Sequence, residues 1–289
     1  VRGRATFSEV DVHLRCWRDV ASVATGVCGG VPGREYVVAV IAHLSDIHID
    51  DERSVRRTRA VVDYLEDLPY DLDLVLVSGD IADHGTPEEY AVARGLLDSR
   101  HPVLVCPGNH DDRAAFREGL LGEPADAAPV DQVFRGAGCT VLACDSSVPG
   151  KPEGWLGDET VAWLEGELRR VPEGEAVLVA FHHPPVPLHV PYVDGIRQFG
   201  EERLAELAGR HPRITAFLAG HAHTAAATTF AGLPLLVAPG VVNTVLLPWE
   251  QRTHAGQQVR LDQPPGVAFH VLDEDRRLTT HFRTVSTQG

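Results

Sequence analysis

The chain has 289 residues, 44% of them hydrophobic and 23% charged, with 27 Gly and 20 Pro. This composition is globular, far from the disordered, collagen-like and membrane classes, and no apolar run approaches the ~20 residues that span a bilayer. A net charge of −15, from 41 acidic against 26 basic residues, denies the chain the broad basic footprint of a non-specific nucleic-acid binder.

Residues 1–36 lack clear periodicity and end in the breaker cluster Gly29-Gly30-Val31-Pro32-Gly33. They are expected to form a weakly ordered extension, leaving 37–289 as one domain. Their scattered charges and missing apolar stretch give no sign of a secretory leader. Cys16, Cys28, Cys106, Cys139 and Cys144 show no CxxC spacing. Free thiols in a reducing cytoplasm are the expectation. Cys106 and Cys144 end apolar runs and read as small buried hydrophobes.

From residue 37 the chain alternates. Val37–Leu44, Leu72–Ser78, Pro102–Cys106, Thr140–Cys144, Ala176–Phe181 and Ile214–Ala219 are apolar runs of buried-strand length. Between them lie helix-patterned segments near Glu52–Leu68, Pro87–Arg100, Asp111–Leu121, Asp158–Arg170 and Arg197–Gly209. Thr86-Pro87-Glu88-Glu89 is a helix start: a Thr cap, Pro in the first turn, then acids at the positive end of the dipole. After residue 224 only strand-like stretches remain, Thr228–Ala231, Leu233–Pro239, Val241–Leu247, Val267–Leu272 and Leu278–Val285. These predict a second, more antiparallel sheet. The fold expected is α/β, with two packed β-sheets flanked by helices in a four-layer α/β/β/α sandwich.

Five of the apolar runs end in metal-capable side chains. They lead into Ser45-Asp46-Ile47-His48, Ser78-Gly79-Asp80, Pro107-Gly108-Asn109-His110-Asp111, His182-His183-Pro184 and Gly220-His221-Ala222-His223. Loops at the carboxyl ends of strands in an open α/β sheet meet at one edge, so these distant residues would converge. In an extended segment residues i and i+2 point the same way, which would let Asp46 and His48 reach one ion. Gly79, Gly108 and Gly220 each precede a proposed ligand, where the chain must bend or approach an ion closely. Two Asp, one Asn and four His without Cys suit Zn, Fe, Mn, Co or Ni. Seven ligands exceed one tetrahedral ion and suit a pair sharing a bridging carboxylate, typical of phosphoester hydrolysis.

The ordered series DxH, GDxxD, GNHD, His before a Pro-rich turn, and GHxH resembles the calcineurin-like metallophosphoesterase superfamily. It is most similar to class III cyclic nucleotide phosphodiesterases and related glycerophosphodiesterases. The resemblance spans about residues 40 to 247, and further matching stretches are Gly79-Asp80-Ile81-Ala82-Asp83-His84-Gly85, Gly108-Asn109-His110-Asp111-Asp112-Arg113, Asp145-Ser146-Ser147-Val148-Pro149-Gly150 and His182-His183-Pro184-Pro185-Val186-Pro187. It implies that 37–289 is a metallophosphoesterase domain holding two divalent or trivalent first-row ions. Asp46, His48 and His223 would hold one ion, Asn109, His182 and His221 the other, and Asp80 would bridge them. Asp80, Asn109 and His110 would do the catalytic work: a metal-bridging hydroxide attacks phosphorus, and His110 contacts the phosphate and protonates the leaving oxygen. The implied substrate is a small phosphodiester, first a 3′,5′-cyclic nucleotide such as cAMP. Glycerophosphodiesters, monoesters and pyrophosphates are the alternatives within the fold, and a non-catalytic metal scaffold is the alternative outside it. A homodimer is implied by resemblance alone, and neither nucleic acid nor membrane is expected as a partner.

Other polar residues carry weaker readings. His43, inside an apolar run, reads as a satisfied core residue. His183 either contacts substrate or orients its loop, and Asp83 either orients a ligand or serves a cap or turn. His84 is undecided. Asp111 and Asp112 are expected to stabilise the start of the following helix. His189, Tyr192 and Arg197 sit in a Pro-rich insertion after the His182 motif, which either shapes a substrate pocket or is a plain surface loop, and Trp155, Trp163 and Trp249 read as packing residues.

Overall fold

The computed structural model describes residues 37–251 and 258–287. The expected extension over 1–36, with Cys16 and Cys28, lies outside the described residues. The first half of the domain runs β1 (Val37–Leu44), α1 (Glu52–Glu66), β2 (Leu74–Ser78), α2 (Pro87–Leu96), β3 (Val103–Cys106), α3 (Arg113–Phe116), β4 (Gln132–Gly136) and β5 (Cys139–Ala143). The second half runs β6 (Gly154–Trp155), α4 (Asp158–Arg170), β7 (Ala176–Ala180), α5 (Pro191–Gly195), β8 (Gln198–Phe199), α6 (Glu201–Arg210) and β9 (Ile214–Ala219). It closes with β10 (Ala226–Phe230), β11 (Leu233–Val237), β12 (Thr244–Val245), β13 (Val259–Arg260), β14 (Gly266–Asp273) and β15 (Leu278–Thr284).

Two large sheets form, one of five strands ordered β15-β14-β1-β2-β3 and one of six ordered β10-β11-β9-β7-β5-β4. Each is parallel at its centre and antiparallel at an edge. Alternation along the strands divides the core into three layers. In β2, Leu74 and Leu76 face the other sheet, while Val75 and Val77 lie under Val61 and Leu65 of α1 and Tyr90 and Ala93 of α2. In β7, Leu178 and Ala180 face inward, and Val177 and Val179 pack with Leu164 of α4 and Leu204 and Leu207 of α6. Strands covered on both faces read as unbroken apolar runs, and the result is the expected α/β/β/α sandwich. Small residues such as Ala39, Ala143, Ala176 and Ala216 occupy the layer between the sheets.

Several boundaries differ from the sequence expectations. Most of the C-terminal strands join the two large sheets: β10 and β11 extend the second, while β14 pairs antiparallel with β1 and carries β15 to the edge of the first; β12 and β13 pair apart as a two-stranded ribbon. An edge strand is recruited by unpaired backbone wherever it is offered, which apolar patterning does not encode. The helix expected over Asp111–Leu121 begins at Arg113 and becomes a π-turn over Arg117–Leu121. The helix expected from Arg197 begins at Glu201, because Gln198 and Phe199 pair with β6. At α2 the start is as expected, with Pro87 first and the Glu89 amide donating to Thr86 Oγ1 at 3.3 Å.

Candidate metal centre

The loops after β1, β2, β3, β7 and β9 meet at one end of the sandwich, where backbone hydrogen bonds lace the β1 loop to the β2 loop and the β9 loop to the β7 loop. Asp46 N–H donates to Gly79 O at 3.1 Å, His48 N–H to Asp80 O at 2.9 Å, and Gly220 N–H to His182 O at 2.9 Å. The lacing holds an uncommon backbone. Asp46, His48, Asp80, His221 and His223 all adopt left-handed φ, between 41° and 67°. Asp46 and His48 therefore do not share a face by extended geometry, as expected from their spacing; two left-handed turns aim them together. Asp and His tolerate this region better than most side chains, and each such residue stores about 1 kcal/mol or more of strain that the surrounding hydrogen bonds must overcome. Gly79 has φ of 92°, and a Cβ there would lie 2.5 Å from His182 Nδ1. A Cβ on Gly108 would strike the Asp80 carboxylate.

The side chains converge on Asp80. Its Oδ2 lies 3.5 Å from His48 Nε2 and 3.1 Å from His182 Nε2, and its Oδ1 accepts from His110 N–H at 3.0 Å. On one side Asp46 Oδ1 is 3.4 Å from His223 Nε2, and the Nε2 atoms of His48 and His223 are 3.2 Å apart. On the other side His221 Nδ1 is 3.2 Å from His182 Nε2. Asn109 flanks that group, with its Oδ1 3.1 Å from His183 Nε2, and the His183 ring packs on His221 at 4.5 Å between centroids. All seven predicted ligands and His110 are thus brought to one place.

The donor set fits cations. Asp46 Oδ1 and His221 Nε2 are buried without a hydrogen-bond partner, and imidazole nitrogens face one another across ~3 Å, an arrangement a cation resolves. Against the pull of burial toward the neutral ring, Asp80 and Asp46 hold His182 up at about 9. Asp80 is held well below the usual carboxylate range by His182 and His48, in spite of burial. Burial drives His221 well below the ordinary imidazole value, reinforced by the charges of its His neighbours, and pushes His223 down as well. A metal ion requires the neutral rings that burial favours.

A surrounding set of groups fixes how these side chains point. His48 Nδ1 is 2.7 Å from Asp83 Oδ1, so Asp83 orients the His48 ring and does not cap a turn. His182 Nδ1–H donates to Ser78 O at 2.7 Å. His183 is buried and neutral: its Nε2–H donates to Pro152 O at 3.2 Å and to Asn109 Oδ1, while its Nδ1 accepts from Ser146 Oγ at 2.9 Å. A nitrogen that carries a proton for a carbonyl has no lone pair for a cation, so His183 orients Asn109. Asp111, expected at a helix start, instead ties two loops together through Ile81 N–H, Ala82 N–H and Gly108 N–H; Asp112 alone caps α3, through Ala115 N–H at 2.9 Å. Arg113 pairs with the buried Asp145 at 2.8 Å, bracing the loop that carries Ser146. The motif Asp145-Ser146-Ser147 was the only sequence signal for these two roles, and nothing in the sequence singled out Pro152 or the Ser78 carbonyl.

The remaining candidates fall elsewhere. His43 is fully buried, as expected. His84 is held by Glu89 at 2.8 Å. Tyr192 is 62% exposed, His189 has φ of 62°, and Arg197, partly buried, pairs with Glu201 at 2.8 Å. Trp163 packs against the core, but Trp155 and Trp249 are 42% and 73% exposed and do not pack as expected. Short β6 and a 3₁₀ turn put them beyond the covered faces of the sheets.

The sequence profile described as calcineurin-like phosphoesterase matches residues 39–225. The chain belongs to this family. It is therefore a phosphoric ester hydrolase of a family that works through paired metal ions, here with a candidate His/Asp metal site. It is 35% identical, over 81% of its length and 80% of the relative's, to a probable cyclic nucleotide phosphodiesterase of Rhodococcus erythropolis. It is 36% identical to a glycerophosphodiester phosphodiesterase of Enterobacter lignolyticus, over 71% of this chain and 78% of that one. A cAMP/cGMP dual specificity phosphodiesterase of Mycobacterium tuberculosis is 33% identical over 71% of this chain and 68% of its own. Among solved structures, a dimetal phosphatase from Danio rerio superposes with a TM-score of 0.61 at 16% identity, covering 86% of this chain and all (100%) of that one, and shares the fold. No described helix is long and apolar enough to cross a membrane.

Proposed function

We propose that the chain hydrolyses small phosphodiesters at a two-metal centre, with 3′,5′-cyclic nucleotides such as cAMP as the first substrate class. The supporting observation is the Asp80 carboxylate, whose Oδ2 lies within 3.5 Å of imidazole nitrogens on both sides of the centre, His48 on one and His182 on the other. Asp46, His48 and His223 would hold one cation, Asn109, His182 and His221 the other, and Asp80 both. Fe, Mn, Zn and Co suit these donors. When bound, paired cations neutralise phosphoryl charge and activate water.

The protein's own groups prepare that chemistry. Asp83 and the Ser78 carbonyl keep the Nδ1 protons of His48 and His182 in place, so both Nε2 lone pairs point inward. His110 donates Nδ1–H to the Asp83 carbonyl at 2.7 Å, and its Nε2 has no partner among the described residues. With its side chain 40% exposed, it can hold a proton at Nε2 and deliver it to a departing alkoxide oxygen. Relatives named as cyclic nucleotide phosphodiesterases support this substrate class, and the Enterobacter relative supports glycerophosphodiesters as the second. Hydrolysis of bis(p-nitrophenyl) phosphate with Mn²⁺, before and after chelation, tests the chemistry; undiminished turnover in the metal-free protein would overturn it. Comparison of kcat/KM for cAMP and for a glycerophosphodiester tests the substrate class.

A further inference from the structure

The layer between the two sheets is apolar except at the end nearest the metal centre. There β1 contributes His43, β14 contributes His270 and β2 contributes Ser78, all fully buried. His43 Nε2 is 2.7 Å from Ser78 Oγ, His43 Nδ1 is 3.0 Å from His270 Nε2, and His270 Nδ1 is 2.8 Å from Thr280 Oγ1 on β15. The mechanism above uses none of these side chains. Ser78, however, is the residue whose carbonyl accepts from both His182 Nδ1, at 2.7 Å, and Ser45 Oγ, at 3.1 Å.

We propose that His43 and His270 are positioning residues of the metal centre, a hydrogen-bonded relay that anchors Ser78 so that its carbonyl holds His182 with Nε2 free for the cation. This rests on the two-metal reading above. Burial keeps both rings neutral, His43 well below the ordinary value and His270 at about 3, so each offers one N–H and one lone pair. The buried Ser78 hydroxyl has no other acceptor among its recorded bonds, and leaving its proton unpaired would be costly. It therefore donates to His43 Nε2, His43 Nδ1–H donates to His270 Nε2, and His270 Nδ1–H donates to Thr280 Oγ1. Thr280, partly exposed on an edge strand, can give its own proton to solvent. Anchoring is needed at this point because the next residue, Gly79, turns with φ of 92°. His270 lies beyond the 39–225 span matched by the family profile, so the C-terminal hairpin is tied into the site through this contact.

The test uses the full chain, stripped by chelation and titrated calorimetrically with Mn²⁺, with the uptake step lost in His182→Ala taken as the second site. Ser78→Ala and His43→Leu should each weaken that step by about 3- to 10-fold, less than the 10- to 100-fold typical of a ligand's direct partner. The other step should not move, and the double variant should be no worse than the weaker single one. Binding equal to wild type, or effects that multiply in the double variant, would overturn the relay. If His43→Leu fails to fold, Ser78→Ala decides alone. A wild-type chain that takes up no Mn²⁺ would refute the metal-centre reading itself, a result distinct from equal binding by wild type and variants.

Discussion

The two imidazoles that face Asp80 are held from behind by unlike partners. His48 leans on a carboxylate, Asp83, whose side chain is 31% exposed. His182 leans on a neutral backbone carbonyl and is completely buried. A carboxylate raises the basicity of the ring it holds, but water and protons can reach it. A buried carbonyl contributes less charge and cannot be titrated. The two imidazoles on either side of Asp80 are thus backed differently, the first by a charge and the second by a neutral, enclosed dipole.

The largest expected effect comes from removing what the two sides share. Asp80→Ala should abolish cooperative uptake of both cations and lower kcat at least about a thousandfold, about 4 kcal/mol of transition-state stabilisation; steady-state kinetics with excess Mn²⁺ checks it. Separating the sides comes next. Asp83→Asn keeps an acceptor for His48 Nδ1 and removes the charge, so the His48 side alone should lose about 10- to 100-fold in metal affinity. Titration of the stripped variant measures this, and equal losses on both sides would erase the distinction drawn here.

Proton competition sharpens it further. With Asp80 and Asp46 holding His182 at about 9 against burial, a cation must displace that proton, and uptake on this side should tighten by about tenfold per pH unit between 6.5 and 9. The sign for the metal-free fold is opposite. A raised native pKa adds stability below about 6.5, and that stability is lost as pH rises through 9. Melting of the chelated protein across this range checks both. The smallest effect lies away from the centre. Burial, reinforced by the charge of Asp145, pushes Asp131 up to about 7. Its contribution is full below about 4 and lost as pH rises through 7, so Asp131→Asn should flatten stability over that window by at most about 4 kcal/mol, leaving metal uptake unchanged.

Much of the centre was legible in the sequence because its side chains stand within a few residues of strand ends. An apolar run ending in Asp46, Asp80, Asn109, His182 or His221 names both the element and the edge at which it stops. His43 also read correctly, since a polar residue flanked by buried apolar neighbours must find a partner. What that partner was could not be read: His270 is 227 residues away and sits in a strand whose pairing with β1 no local pattern announces. The left-handed turns at Asp46 and His48 were hidden for a related reason, because φ there is held by hydrogen bonds that their N–H groups donate to the carbonyls of the β2 loop, a contact no local pattern announces.

Local chemistry and periodicity alone determined the layered α/β class and the Asp, Asn and His side chains that stand after its strands. Those properties belong to single segments, and a segment carries its own pattern. Only the tertiary structure decided which sheet received the C-terminal strands, which group stands behind each imidazole, and that His183 stands against Asn109. Those are relations between segments, fixed by backbone pairing and by the requirement that every buried proton find an acceptor.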